Sequence, residues 1–415
     1  MTLSFGFGTG SQSVSVPEEN LLGALHMNPA APERTGQEAV GYALENPIGL
    51  ARLSEIVPKS KKIAIVTSDI SRPCPSWDIL PPLLAELERG GVDLADVTLV
   101  FGLGSHRHQT EAEMRHLAGP AFDRIRCVDS DCNDCIRMGV TGRGTPVDIT
   151  RVVAEADFRI CLGNVEYHYF AGYSGGAKAI MPGVSSRDAI QANHRMMVQN
   201  EACAGRLEGN PLRMDIEEAG RICGIHYIVN VVLDEHKQII FAAAGDVTAA
   251  HRAGCRYLDT LYRKPIPQRA DIVLVSQGGA PKDLNLYQTQ KALDNAKHAV
   301  RPGGIIILIG SCKEGLGEKC FERWIQEAKC SHDLIDRVQT HFELGGHKAA
   351  AIAMVLENAR IFLVSEMDPE LVRKCFLEPY SSAQKALDDA FAILGSNATV
   401  LAMPYGGSTL PIVEQ

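Results

Sequence analysis

Short apolar runs alternate with segments of helical period through most of the chain. KKIAIVTSD (61–69) reads as a buried strand, and WDILPPLLAELERG (77–90) as a helix ended by glycine. DVTLVFGLG (96–104) predicts a second strand, followed by a helix from about Glu111 to Leu117. ADFRICLGN (156–164) and IHYIVNVVLD (225–234) are later strand candidates, and VTAAHRAGCRYLDTLYRK (247–264) predicts a long helix. Strands alternating with helices imply βαβ units and a mainly parallel sheet.

The pattern breaks at KPIPQRAD (264–271), where two prolines interrupt it, and then restarts. ADIVLVSQGG (270–279) and GGIIILIGSC (303–312) predict strands, with a helix near 287–300 between them. RIFLVSE (360–366), a helix near 381–393 and NATVLAMP (397–404) complete the second series. The expected fold class is α/β: two domains with mainly parallel sheets and an active-site cleft between them. Residues 1–267 form the first and 268–395 the second, while 396–415 is open to return to the first. No internal repeat or low-complexity segment appears.

Composition narrows this without changing it. A chain of 415 residues suits two or three domains. Hydrophobic residues at 45% and charged at 22% exclude disorder, collagen and coiled coil as the main architecture. With 50 acids against 41 bases the chain lacks the footprint of a general nucleic-acid binder. No apolar run reaches the ~18–20 residues of a spanning helix. The start, MTLSFGFGTGSQSVSVPEEN, has neither a basic nor an apolar leader region, so a cytoplasmic protein away from membranes is expected. Cys132 and Cys135 form one CxxC, but no second pair closes a structural zinc site; reduced thiols are expected.

Ligands of α/β sheets bind past the carboxyl ends of strands. Those ends read SDISRP (68–73), GLGSHRHQT (102–110), GNVEYHYFAGYSGGAKAIMPG (163–183) and SQGGAPKDLNLYQTQKAL (276–293). GYSGGAK (172–178) has the glycines of an anion cradle, yet alanines flank Lys178, so it is not a Walker A loop. His194 falls in RDAIQANHRMMVQ (187–199), a predicted helix that Ser185 is placed to cap, with Asp188 three residues on. Arg72, His106, Arg107, His108, His168, Lys178, His194 and Arg195 make a positive set in a negative chain. That set suits an anionic ligand, a carboxylate or a phosphate.

These residues carry a resemblance. DxxR at Asp69–Arg72, GSHR at 104–107, HYFAGYSGGAK at 168–178, a histidine sixteen residues after that lysine, and YQTQK at 287–291 together resemble the nickel-dependent lactate racemase family. Order and spacing match over nearly the whole chain. The resemblance implies a nickel pincer nucleotide, pyridinium-3-thioamide-5-thiocarboxylic acid mononucleotide, joined covalently at Lys178. It implies His194 as the protein's nickel ligand, Asp69, Arg72, Gln288 and Lys291 as cofactor contacts, and His106 and His168 as acid and base. Arg72, Tyr287 and Lys291 are the implied substrate contacts. Cofactor biosynthesis proteins are the implied partners, beside a small 2-hydroxy acid substrate. The oligomeric state is not legible.

The chemistry fits such a site. The C2 proton beside an ionised carboxylate is very weakly acidic, whereas hydride removal leaves a planar 2-keto acid open on both faces. A base must take the hydroxyl proton as hydride leaves, and histidine titrates near neutral pH. The family's lactate enzyme lines its site with a tryptophan. Trp77 and Trp324 lie in no matching motif, and Phe342, His347 and Lys348 in 341–354 stand in that region. The substrate therefore ranges over lactate, larger or dicarboxylic 2-hydroxy acids and sugar acids. His108 stands beside His106 as a residue that could share its work, though the motif places the role on His106. Rival readings are a conventional divalent-metal hydrolase or lyase, and a phosphate- or nucleotide-binding module without catalysis.

Overall fold

The computed structural model describes residues 1–59 and 61–413. They fall into two compact units: Pro29–Leu261, and a second built from Met1–Asn28 together with Tyr262 onward.

The Pro29–Leu261 unit is organised by a six-stranded sheet. Its strands lie in the order Ile239–Gly245, Tyr227–Leu233, Phe158–Asn164, Ile63–Ser68, Val97–Gly102, Arg126–Asp129. All neighbours are parallel except the antiparallel Ile239–Gly245 edge. Both central strands are near-continuous apolar runs because helices cover both faces of a parallel sheet. Helices Gly36–Glu45 and Ser76–Arg89 bury Val40, Leu44, Leu80, Leu83 and Leu87 on Ile63, Ile65 and Leu99. The sheet grows one way from Ile63–Ser68, then jumps to its other side at Phe158–Asn164. That reversal is a topological switch point, where α/β sheets bind ligands.

In the second unit all six strands are parallel, in the order Glu378–Tyr380, Ala359–Val364, Val300–Ile309, Ala270–Ser276, Val400–Met403, Leu21–Ala24. A hairpin, Thr2–Phe7 with Gly10–Ser15, packs Phe5 and Val14 on Leu274, Ile307 and Leu387. Its tip is fastened by one buried carboxylate. Asp283 Oδ2 accepts from Gly8 N at 2.8 Å and from Ser311 N at 2.9 Å.

The domain boundaries differ from those read in the sequence. Residues 1–28 lie with the second half, because Leu21–Ala24 pairs with Val400–Met403. For the same reason 396–413 stays in that unit; Glu414 and Gln415 lie outside the described residues. Strand partners so far apart leave no local trace. Ser186, not Ser185, caps the helix Arg187–His194 by accepting from Ala189 N, while the Ser185 hydroxyl donates to Ile180 O. Arg195–Val198 continues as a 3-10 turn. The long helix ends at Tyr262, and Arg263–Ile266 becomes a strand beside Leu410–Val413, since Pro265 cannot extend a helix. The helix expected near 287–300 is a chain of short turns, Leu286–Thr289, Gln290–Ala292 and Leu293–Ala296.

Among the described residues no disulfide joins any of the cysteines, and no helix is long and apolar enough to cross a membrane. Asp283→Ala strips two amide donors of their shared acceptor. It should cost on the order of 1–3 kcal/mol by urea unfolding, with faster amide exchange at Gly8 and Ser311. Unchanged exchange at both would deny the fastening role.

Candidate active site

Three loops of the Pro29–Leu261 unit leave adjacent parallel strands at the same edge. The first follows Ile63–Ser68 and holds Asp69, a carboxylate only 3% exposed. Asp69 Oδ2 lies 2.5 Å from His106 Nδ1 on the second loop. Ser71 supports both, donating its hydroxyl to Asp69 Oδ1 at 2.6 Å with its oxygen 3.1 Å from His106 Nδ1. Burial alone would raise the Asp69 carboxyl. The hydrogen bonds from His106 and Ser71, with the nearby Arg72 charge, outweigh it and hold the group below its ordinary range. Asp69 is therefore an anion, and the tautomer that satisfies it carries the proton on Nδ1. In the neutral ring this leaves the lone pair on His106 Nε2, the form of a general base.

The rest of GSHRH turns elsewhere. Arg107 makes a bidentate pair with Glu113 at 2.6 and 2.9 Å, on the capping box that Thr110 and Glu113 build for the helix Glu111–Ala118. His108 is exposed and its Nδ1 lies 3.1 Å from Asp129 Oδ2. Arg195 is exposed after the Arg187–His194 helix. Of this loop, only His106 joins the dyad. Arg107 leaves the positive set because a closer carboxylate claims it.

The third loop follows Phe158–Asn164 and forms a two-residue ladder, Tyr167–His168 against Gly172–Tyr173. Gly172 has φ of 77°, and a Cβ there would sit 2.1 Å from Arg206 O, so only glycine closes this turn. Tyr167 and Tyr173 both donate their hydroxyls to Asp259 Oδ1, at 2.8 and 2.7 Å, anchoring both sides of the ladder. His168 Nδ1 accepts from Ala171 N at 3.3 Å, which puts the neutral ring's proton on Nε2.

Phe170 is the hub that sequence reading missed. Its buried ring is 4.5 Å from the His168 ring and 5.0 Å from the His194 ring, both edge-on, and Lys178 Nζ stands 6.0 Å from its centroid. Its carbonyl accepts from Asn210 Nδ2 at 2.8 Å, the same asparagine that caps helix Pro211–Cys223. The only signal was an aromatic cluster around one histidine, which periodicity cannot distinguish from core. Lys178 follows on the 3-10 turn Gly176–Ala179, half-buried. Burial, with Arg72 and Arg213 nearby, pushes its ammonium down to about 7 against the pull of Glu166. Much of this lysine is thus a neutral, nucleophilic amine at physiological pH. His194 is buried at the end of its helix. Asp69, Arg72, His106, His168, Lys178 and His194 accordingly belong to one neighbourhood of this unit. Arg72 is the exposed cation among them.

The remaining candidates lie in the second unit. Lys291 Nζ donates to Gln288 Oε1 at 2.6 Å, and the Tyr287 ring meets Phe321 edge-on at 5.7 Å. The Phe342 and His347 rings are 5.1 Å apart. Lys348 is buried with Nζ 3.5 Å from Asp294, and burial lowers its ammonium to about 8 although Asp294 opposes this. Trp324 is fully buried core, donating to Glu343 at 3.0 Å.

Residues 7–205 match the Lactate racemase N-terminal domain family, and residues 266–410 the Lactate racemase C-terminal domain family. The chain is 32% identical to a lactate racemase of Thermoanaerobacterium thermosaccharolyticum over 420 residues, 97% of each chain. It is 32% identical to one of Lactiplantibacillus plantarum over 407 residues, 95% of this chain and 96% of that one. The lactate racemase apoprotein structure from T. thermosaccharolyticum superposes with a TM-score of 0.88 at 30% identity, over 100% of both chains. A Thermotoga maritima structure shares the fold at 17% identity, with a TM-score of 0.64 over 93% of this chain and 100% of that one. Matched over nearly its whole length and by both domain families in order, the chain belongs to the lactate racemase family.

Proposed function

We propose that the chain is a racemase or epimerase of a 2-hydroxy acid, working through the 2-keto acid with a nickel pincer nucleotide joined at Lys178. The observation that carries this reading is the clustering of a depressed lysine ammonium and two histidines around Phe170, at the switch point of the sheet. Family membership supports the reaction class, and lactate is the first substrate to test because both curated relatives are named for it.

The residues fit such a group. A thioamide link needs an uncharged amine, and Lys178 supplies one near neutral pH. The site also suits a metal that arrives inside a cofactor. Among the described residues no three of His, Cys, Asp or Glu converge to hold an ion, whereas a conventional zinc centre needs at least three protein ligands. His194 would give the single imidazole. Arg72 would meet its anionic groups. When bound, such a cofactor supplies a hydride acceptor for C2 of the substrate.

The chain's own residues handle the proton and the carboxylate. His106 Nε2 takes the hydroxyl proton of one enantiomer, with Asp69 fixing the ring and neutralising the imidazolium that results. His168 serves the opposite face from the third loop. Arg72, planar and exposed, offers a bidentate grip on the substrate carboxylate. Cofactor biosynthesis proteins would be the partners that deliver the loaded form.

Four outcomes test the reading. After coexpression with cofactor synthesis proteins, intact mass should show an adduct that maps to Lys178. In the apoprotein, acetylation of Lys178 should rise with pH through a midpoint near 7, while exposed lysines follow near ~10.4. An active loaded enzyme with unmodified Lys178 would sink the covalent link.

Substrate deuterated at C2 should be racemised with its deuterium largely kept. Washout into solvent would instead mean that a side chain removes the C2 proton.

Asp69→Asn should keep the protein folded and lower kcat by ~10²–10⁴, because the amide can hold His106 in the wrong tautomer. A kcat within twofold of the parent would reduce Asp69 to a cofactor contact.

A further inference from the structure

Beneath the lysine loop lies a charged cluster that the reaction does not use. Arg213, on helix Pro211–Cys223, is 1% exposed, and His251, on helix Val247–Tyr262, is fully buried. A guanidinium is costly to bury unless its donors are met. Here Nη1 is met by one short stretch of backbone, and Nη2 and Nε by His251 and Glu217. Arg213 Nη1 donates to Tyr173 O at 3.2 Å and to Gly175 O at 3.4 Å, and His251 Nε2 donates to the intervening Ser174 O at 2.8 Å. Three successive carbonyls are thus held from one side.

The two side chains also hold each other. His251 Nδ1 accepts from Arg213 Nη2 at 3.1 Å and from Arg252 Nη1 at 3.0 Å. Burial, with Arg213 beside it, keeps the imidazole well below its ordinary range, so the ring is neutral. Its tautomer is then set, with the proton on Nε2 facing Ser174. Glu217 balances both arginines, at 2.7 Å from Arg213 Nε and 2.8 Å from Arg252 Nη1.

The loop is shaped to lie on this platform. Gly176 has φ of 59°, and a Cβ there would meet Arg213 Nη2 at 2.8 Å and the His251 ring at 3.0 Å. From the other side Gly176 N donates to the buried Asn230 Oδ1 at 2.8 Å. Lys178 comes two residues later, its N–H donating to Gly175 O at 3.3 Å, one of the clamped carbonyls.

We propose that Arg213 and His251 form a buried clamp that sets the backbone of residues 173–176 and so positions Lys178 for attachment to its cofactor. Arg213 and His251 are positioning residues, acting through the loop. The inference rests on Lys178 as the attachment site, but its structural half can be tested without any cofactor.

Hydrogen–deuterium exchange of the apoprotein reads that half. His251→Leu removes the Ser174 bond and should speed exchange of the 172–181 peptide at least tenfold. His251→Gln keeps an amide donor and should stay within about threefold of the parent. The strand 158–164 should exchange at the parental rate in both. Arg213→Lys should behave as His251→Leu does; if it loosens the whole unit, the His251 pair decides the matter. Faster exchange spread over the unit in both His251 variants, or none in His251→Leu, would overturn the clamp.

Adduct mass after coexpression reads the other half. Yield at Lys178 should fall at least fivefold in His251→Leu and recover in His251→Gln. A full yield in His251→Leu with a loosened loop would refute positioning while leaving the attachment intact. No adduct in the parent chain would refute the attachment reading and leave the exchange result standing.

Discussion

Parallel pairing on both sides of Ile63–Ser68 governs the candidate chemistry. Parallel strands must each return through a crossover, so every carboxyl end opens at one edge of the sheet. Ile63–Ser68 delivers Asp69 and Arg72, Val97–Gly102 delivers His106, and Phe158–Asn164 delivers His168, Phe170 and Lys178. The crossovers on either side of the switch point leave room between the first and third of these loops. No single loop holds the full set. The carboxylate that fixes His106 lies 37 residues away in sequence, and the two meet only because their strands are neighbours.

Local charge then departs from global charge. The chain carries a net −9, yet the switch point gathers Arg72, Lys178 and the buried Arg213. Positive neighbours and burial act in the same direction on Lys178, both disfavouring its ammonium. Asp69 shows the reverse balance. Burial alone would raise its carboxyl, and the hydrogen bonds from His106 and Ser71 outweigh that. One edge therefore holds an amine near its neutral point beside a permanent carboxylate. On an open surface the lysine would be an ammonium, while the carboxylate would keep its charge.

The sequence was legible where function and fold share a local pattern. Strands such as Ile63–Ser68 and Phe158–Asn164 stand out because both faces are buried, making their apolar runs continuous. The site loops are visible because they follow those runs. Illegible features depended on distant partners. Residues 1–28 belong with the second half through a pairing with Val400–Met403. Arg107 looked like a site cation until Glu113, on the next helix, claimed it. Asp69 was assigned to the cofactor by resemblance, and its contact with His106 required three-dimensional neighbours. Phe170 reads as core by type and Arg213 as surface, yet both are buried, and their importance comes from what they touch.

In their neutral forms the two histidines carry the proton on different nitrogens, and the acid–base roles proposed for them would start from there. His106 leans on a carboxylate and presents a lone pair at Nε2. His168 accepts from Ala171 N at Nδ1, so its neutral ring carries the proton on Nε2. To act as a base at Nε2, His168 must give up that backbone bond. The bond is long at 3.3 Å, and a typical intramolecular hydrogen bond is worth about 1 kcal/mol net. In the proposed two-base reaction, loss of that bond by itself would cost a few-fold in rate. For a pair of enantiomers the equilibrium constant is one, so kcat/KM must be equal in the two directions whatever the resting tautomers. Any imprint of this asymmetry has to enter kcat and KM by the same factor. The loops can thus favour one starting state without tilting the reaction, because the fold biases only the enzyme and not the mirror-related substrates.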